Sequence, residues 1–274
     1  MNRVPAAAKI NLALLIGPVR PDGLHEVVTV MQRIDLCDSV TLDPAPVLVV
    51  EGYRKDTLVR SALAKLSTAA GNGGAWRVRL DKRIPLAAGL GGGSADAGAA
   101  LTLANRTLSA PLADDELTGL AAEVGADVPF FLTPGPKLAA GAGERLRPLE
   151  LPQDYWVVIA LSRFARKSST SDIYERFDHM KGAREFERRR EAFLEALAAV
   201  RRPRDFADFP PNDLAAAAGR SRLVDELLER GAFRADVSGA GPAVYGLFHH
   251  RADAARAARR LRARARVWLV APVW

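Results

Sequence analysis

Apolar and polar positions alternate with a period of two near the start of the chain. In Ala8-Lys-Ile-Asn-Leu-Ala-Leu-Leu15, Ile10, Leu12 and Leu14 fall on one face of a strand, and Lys9, Asn11 and Ala13 on the other. Burying a lysine and an asparagine on an otherwise apolar strand is costly without polar partners. That face is therefore either a solvated edge or a functional surface. Arg77–Asp81 alternates in the same way, and Ala97–Ala104 reads as a helix. Further helices are expected after residues 57 and 115. The chain divides near residue 150, where Pro148 and Pro152 precede a fresh strand signal at Tyr155–Leu161. Helices follow around 184–200 and 221–230, then a glycine-turn strand at Val237–Phe248, then a last helix and strand. Pro203–Pro211 reads as an exposed loop.

Between the strand and helix patterns lies the densest chemistry of the chain: Pro85, Leu86, Ala87, Ala88, Gly89, Leu90, Gly91, Gly92, Gly93, Ser94 and Ala95. Its glycines let a ligand approach the main chain. Ser94 and Asp96 sit where a helix start exposes N–H groups and a partial positive charge, which suits a phosphate. The plainer reading is a glycine-rich turn with a serine cap. The Walker pattern is absent, and no lysine occurs between Lys82 and Lys137. The dinucleotide fingerprint fails as well, because Ser94 stands where a third glycine is required.

Composition narrows the context. The 274 residues suffice for one large or two intimately packed domains, and the single Cys37 rules out an internal disulfide. No charged-then-apolar leader opens the chain. Apolar runs such as Val47–Val50 and Trp156–Leu161 are too short to cross a bilayer. A reducing cytoplasm is the expected compartment, with no membrane partner. The net charge of +7 fits an enzyme handling anionic nucleotides. Its excess sits in Arg184–Arg204 and in the alanine/arginine helix Arg251–Arg266, which lacks interleaved aromatics and reads as a solvated face rather than a nucleic-acid surface.

The glycine segment resembles the phosphate loop of the GHMP kinases, P-x-x-x-G-L-G followed by small residues. Its extended form is similar to the branch that phosphorylates 4-diphosphocytidyl-2-C-methyl-D-erythritol on the 2-hydroxyl. Other family elements match in order: Pro5–Leu14, Arg20-Pro-Asp-Gly-Leu-His-Glu26, the strand Ile34–Leu42, Gly125–Phe131, Gly141-Ala-Gly-Glu144, Ser169–Tyr174, Asn212-Asp-Leu214 and Val237–Ala243. The resemblance implies an α+β, two-domain GHMP kinase architecture. A ribosomal protein S5 domain 2-like N-terminal domain (1–150) would bind ATP, and a ferredoxin-like C-terminal domain (151–274) would follow, with the active site between them. It implies Asp127 as catalytic base, paired with Lys9, although Asp127 before Pro129 also reads as a helix cap. It implies Asn11, His25 and Tyr174 at the cytidine end of the substrate, although His25 also reads as a loop histidine and Tyr174 as core. ATP and Mg²⁺ are the implied cofactors, with Ser94 offering a hydroxyl to the metal. The implied partners are small molecules, ATP and a cytidine diphosphate-linked methyl-erythritol, not nucleic acid, and the oligomeric state is left open. Leu24 departs from the family tyrosine over the cytosine, Thr57 from an asparagine near the adenine, and Ala95 from a second loop serine. Homoserine or mevalonate kinase activity, or a non-catalytic nucleotide-binding role, are the alternatives.

Overall fold

A computed structural model describes residues 3–71, 74–164, 169–219 and 221–274. In chain order the first elements are β1 (Arg3–Val19), β2 (His25–Pro44), β3 (Val49–Glu51), α1 (Leu58–Ala69), β4 (Trp76–Asp81), α2 (Gly92–Asn105) and α3 (Asp114–Val124). Then come β5 (Lys137–Ala140), β6 (Arg145–Pro148), β7 (Trp156–Ser162), α4 (Thr170–His179), α5 (Phe186–Ala199), α6 (Leu214–Ala218) and α7 (Arg222–Glu229). The chain closes with β8 (Arg234–Val237), β9 (Val244–Phe248), α8 (Arg251–Leu261), β10 (Ala265–Val270) and β11 (Pro272–Val273). Two compact units interleave along the sequence. The first holds the chain up to Ala8, Leu36–Leu86 and Gly91–Pro134; the second holds Lys9–Asp35, Ala87–Leu90 and Gly135–Trp274.

In the first unit the Ser39–Pro44 part of β2 pairs antiparallel with β4, and β3 pairs parallel with β4. Trp76, Val78 and Leu80 are buried while Arg77, Arg79 and Asp81 are exposed, as the alternation requires. Helix α1 buries Val59, Ala62, Leu63 and Leu66, a stripe at helical spacing. Helix α2 instead buries residues all round its axis, among them Ala95, Ala97, Gly98, Leu101 and Leu103. Its small side chains fit a helix enclosed on every side.

In the second unit Thr29–Met31 of β2 pairs antiparallel with β5, β5 with β6, and Ile34 and Arg33 with β11. A separate four-stranded antiparallel sheet runs in the order β10-β7-β9-β8. Its buried residues Val158, Ala160, Val244 and Phe248 pack with Leu223 and Leu227 of α7 and with Ala254, Ala257, Ala258 and Leu261 of α8. The arginines of α8 stay on its outer face: Arg256, Arg259 and Arg260 are exposed.

Three expectations need correction. Residues 203–211 are not an exposed loop: Pro203–Asp208 forms a 3₁₀ helix, with Phe206 fully buried against Tyr155 at 5.6 Å between ring centroids. The aromatic side chains override the proline-rich surface signal. The glycine-turn strand is two strands, β8 and β9, paired antiparallel around residues 238–243. The arginine helix ends at Leu261, because Ala265–Val270 joins the sheet beside β7. Among the described residues, no helix is long and apolar enough to cross a membrane.

Candidate active site

The glycine-rich loop leaves β4 and enters α2 two residues earlier than Ser94, at Gly92, behind Gly91 in the left-handed conformation at φ 69°. Ala87 also has positive φ, 56°, unusual for a residue with a side chain. The carbonyls of the loop are tied back. Ala88 O accepts from Ala243 N at 3.0 Å, Gly89 O from Ser238 Oγ at 3.0 Å, and Leu90 O from Lys9 N at 2.9 Å. Among the described residues, no N–H from Leu86 to Ser94 has a hydrogen-bond partner. Within the second unit, the tied-back carbonyls leave the amides of Ala87–Leu90 as donors fit for an anion. Gly89 is required twice over: its φ is 83°, and a Cβ there would lie 2.1 Å from Ser238 O. Ser94 is the third residue of α2, and its hydroxyl has no hydrogen-bond partner among the described residues.

In the second unit, the polar face of β1 is not solvated. Lys9 Nζ donates to Asn11 Oδ1 at 2.7 Å, Asn11 Nδ2 to Thr29 Oγ1 at 2.8 Å, and Thr29 Oγ1 to Ala13 O at 2.6 Å, all buried. This relay supplies the partners that a buried lysine and asparagine need. His25 heads β2, its Nδ1 2.9 Å from Gly17 O and its Nε2 3.3 Å from Asp178 Oδ2. A carbonyl only accepts, so the Nδ1 proton faces Gly17. The His25 ring lies 5.0 Å from the Tyr174 ring, tilted by 39°. Tyr174 belongs to α4, which starts with a capping box between Ser169 and Asp172. It packs on Leu14, Ile16, Val27, Ile173 and Phe177. Leu24, in the turn just before His25, is 54% exposed.

In the first unit, Asp96 does not face a ligand from the helix start. Lys82 Nζ bridges its carboxylate to that of Asp38, and all three groups lie largely out of solvent. Asp38 also accepts the N–H groups of Arg83 and Ile84, fixing the chain that leads into Pro85. Burial pushes Asp96 up to about 7, against the pull of Lys82 and with help from Asp38 and Asp56. Lys82 is raised: its two carboxylates outweigh the burial that would lower it. Asp127 is half-buried in the turn before the 3₁₀ helix Pro129–Phe131, whose cap position is Val128 with no side-chain cap bond. The turn lies tight against α2, because a Cβ on Gly98 would be 2.8 Å from Phe131 Cβ and 3.5 Å from Val128 O.

The structure thus gathers Lys9, Asn11 and Leu90 in one place and His25 with Tyr174 in another, both in the second unit. Asp127 and Ser94 belong to the first. Known proteins carry the comparison further. The GHMP kinases N terminal domain matches residues 57–135, and the GHMP kinases C terminal domain matches 221–267. A 4-diphosphocytidyl-2-C-methyl-D-erythritol kinase of Symbiobacterium thermophilum is 36% identical, with 96% of each chain covered. One of Gloeobacter violaceus is 38% identical over 92% of this chain and 87% of its own. The chain belongs to the GHMP kinase family, in its 4-diphosphocytidyl-2-C-methyl-D-erythritol kinase branch. A crystal structure of 4-(cytidine 5'-diphospho)-2C-methyl-D-erythritol kinase superposes with a TM-score of 0.79 at 33% identity over 99% of both chains. A mevalonate kinase superposes at 0.75 with 12% identity, a likeness of fold alone. The chain has the two-domain α+β fold of GHMP kinases.

Within this GHMP kinase, sequence reasoning passed over Asp38, Lys82, Asn212 and Ser238. Lys82 and Asp38 carried a signal, charges placed beside an apolar strand end and a glycine loop. Ser238 and Asn212 lay in segments noted for resemblance, with no clue that Ser238 bonds the loop or that Asn212 bonds the carbonyls of Val237 and Gly239 on either side of it.

Proposed function

We propose that this chain transfers the γ-phosphoryl group of ATP to the 2-hydroxyl of 4-diphosphocytidyl-2-C-methyl-D-erythritol, a step of non-mevalonate isoprenoid synthesis. The observation that carries the reading is the loop with its carbonyls 88–90 tied back and its amides from Leu86 to Ser94 unpaired. It accompanies 36% identity across nearly the whole chain of a relative bearing that name. Phosphoryl transfer needs positioning and charge neutralisation more than covalent chemistry. Pro85–Ala95 holds the phosphates through main-chain N–H groups and the start of α2. Asp127 accepts the proton of the attacking hydroxyl, a role that contributes roughly 10² to 10⁴ in rate. Lys9, buried and aimed by Asn11, stabilises charge on the transferring group.

Among the described residues, no cluster of three or more His, Cys, Asp or Glu is arranged to hold a metal ion. Mg²⁺ in kinases is held by phosphates, waters and one or two protein groups, and the unpartnered Ser94 hydroxyl fits that part. When bound, Mg²⁺ neutralises phosphate charge. His25 and Tyr174 receive the cytidine end, His25 held by Gly17 O and Tyr174 beside its ring; Asn11, assigned to that end by the resemblance, has its amide engaged by Lys9 and Thr29. Leu24 covers the base with an aliphatic surface in place of an aromatic one. The proposed ATP-binding domain, 1–150, and C-terminal domain, 151–274, are divisions of the sequence with the matched segments 57–135 and 221–267 on either side, whereas the compact units interleave across that boundary. The cytoplasm is the proposed compartment.

The test is ADP release from Mg-ATP with this alcohol, homoserine or mevalonate, run on wild type, Asp127→Ala and Lys9→Ala. Turnover with the diphosphocytidyl alcohol alone, lost in both folded variants, supports the reading. Turnover only with another alcohol overturns the substrate, and full activity in Asp127→Ala overturns the base.

A further inference from the structure

Asn212-Asp-Leu214 has no part in the chemistry above, yet its polar groups are among the most completely used in the second unit. Asn212 is 3% exposed. Its Nδ2 donates to both Val237 O at 2.9 Å and Gly239 O at 2.7 Å, and its Oδ1 accepts from Leu214 N at 2.9 Å. Its own N–H donates to Asp236 Oδ2 at 2.8 Å. The two carbonyls require donors and Leu214 N requires an acceptor, so the amide has one orientation. Asp213, next in sequence, is itself fixed. Its carboxylate takes both oxygens to Arg189 Nη1 at 2.6 and 2.7 Å, accepts from Ile16 N at 2.8 Å, and its N–H reaches Leu14 O at 2.9 Å.

The turn that Asn212 holds is the one that ties back the loop. Ser238 lies between Val237 and Gly239, and its hydroxyl holds Gly89 O at 3.0 Å. Ala243, paired with Ser238 through N–H to carbonyl at 3.0 Å, holds Ala88 O. There is no slack at the contact, because Gly89 has no room for a Cβ against Ser238 O. We infer that Asn212 is a positioning residue for nucleotide binding: it fixes the turn at 237–239, and the turn fixes which way the loop carbonyls, and hence the loop amides, point. The inference rests on the reading of the loop as the nucleotide site and adds to it a residue remote from any ligand.

The experiment is calorimetric titration of Mg-ADP into wild type, Ser238→Ala, Asn212→Asp and the double variant, with melting temperature and the KM of the alcohol measured alongside. Ser238→Ala removes one neutral hydrogen bond to the loop and should weaken Mg-ADP about 5-fold. Asn212→Asp keeps the shape but sets a carboxylate against two carbonyls; about 30-fold weakening is expected. The double variant should fall close to Asn212→Asp rather than at the product of the two, since both act through one turn. The alcohol KM should stay within about twofold, the split that marks a local effect on the nucleotide side. A lowered melting temperature with unchanged Mg-ADP affinity in the folded variants would assign Asn212 to stability alone and overturn the inference. Should Asn212→Asp fail to fold, unchanged affinity in Ser238→Ala overturns it equally. A wild type that does not bind Mg-ADP overturns the nucleotide reading and the inference with it; normal wild-type binding with indifferent variants overturns only the inference.

Discussion

Gly98 sits inside α2, where glycine costs about 1 kcal/mol relative to alanine on helix propensity alone. By that measure Gly98→Ala should stabilise. The packing argues otherwise. The added Cβ would lie 2.8 Å from Phe131 Cβ and 3.4 Å from the Phe131 carbonyl carbon. Carbon atoms rest at about 3.5–4.0 Å, so helix and turn must part by roughly 1 Å. Overpacking of this kind costs about 1–3 kcal/mol, leaving a net loss of roughly 0–2 kcal/mol after the helix gain. That is a fall in Tm of between zero and about 8 °C, at about 2–4 °C per kcal/mol. Activity should suffer far more. Asp127 directly precedes Val128, whose carbonyl is also close to the new methyl group at 3.5 Å. For Asp127 in its proposed role as base, a 1 Å displacement costs about 10²-fold in rate. Gly119→Ala is the control: Gly119 is in α3 with nothing within 4 Å of its added Cβ, so about 0.5–1 kcal/mol of stabilisation and unchanged kcat are expected. Thermal melts and steady-state kinetics on both variants decide the matter. Equal stabilisation in both, or kcat/KM within twofold of wild type for Gly98→Ala, would refute the reasoning.

Three other outcomes follow from the geometry. Asp96 is pushed up to about 7 in the fold, against about 3.9 unfolded, so its contribution to stability is complete below pH 4 and is lost as pH rises from 4 to 7. Relative to wild type, Asp96→Asn should therefore gain stability across that window in denaturant titrations; parallel pH curves would contradict the assignment. Ala87 sits at φ 56°, where a side chain costs about 1 kcal/mol, so Ala87→Gly should be neutral or stabilising in urea despite the entropy of glycine. A loss above about 1 kcal/mol would show that the loop conformation differs. Phe206→Ala should cost roughly 3–5 kcal/mol, whereas a residue in an exposed loop would cost under about 0.5 kcal/mol.

Much of this was legible in the chain because local rules governed it. The alternation at Arg77–Asp81 survives as the buried and exposed sides of β4, and the glycine run does open α2. The polar face of β1 was visible, but not its relay through Thr29, a residue 18 positions from Asn11. Long-range partners of that kind leave no periodic trace. The same holds for Lys82, whose bridge joins residues 38 and 96, and for the turn at Ser238, which meets Gly89 across 149 positions. Residues 203–211 misled for another reason: prolines signal surface turns, while Phe206 buries its ring from a 3₁₀ helix and Phe209 from the residue just after it. Propensity yields to aromatic burial there.

The most direct test of the central claim is phosphorus NMR of wild-type protein with Mg-ATP and 4-diphosphocytidyl-2-C-methyl-D-erythritol. ADP and a new phosphomonoester on the 2-oxygen should grow in equal amounts, and neither should appear with Asp127→Ala. ATP left intact, or hydrolysed to inorganic phosphate with the alcohol unchanged, would contradict the account.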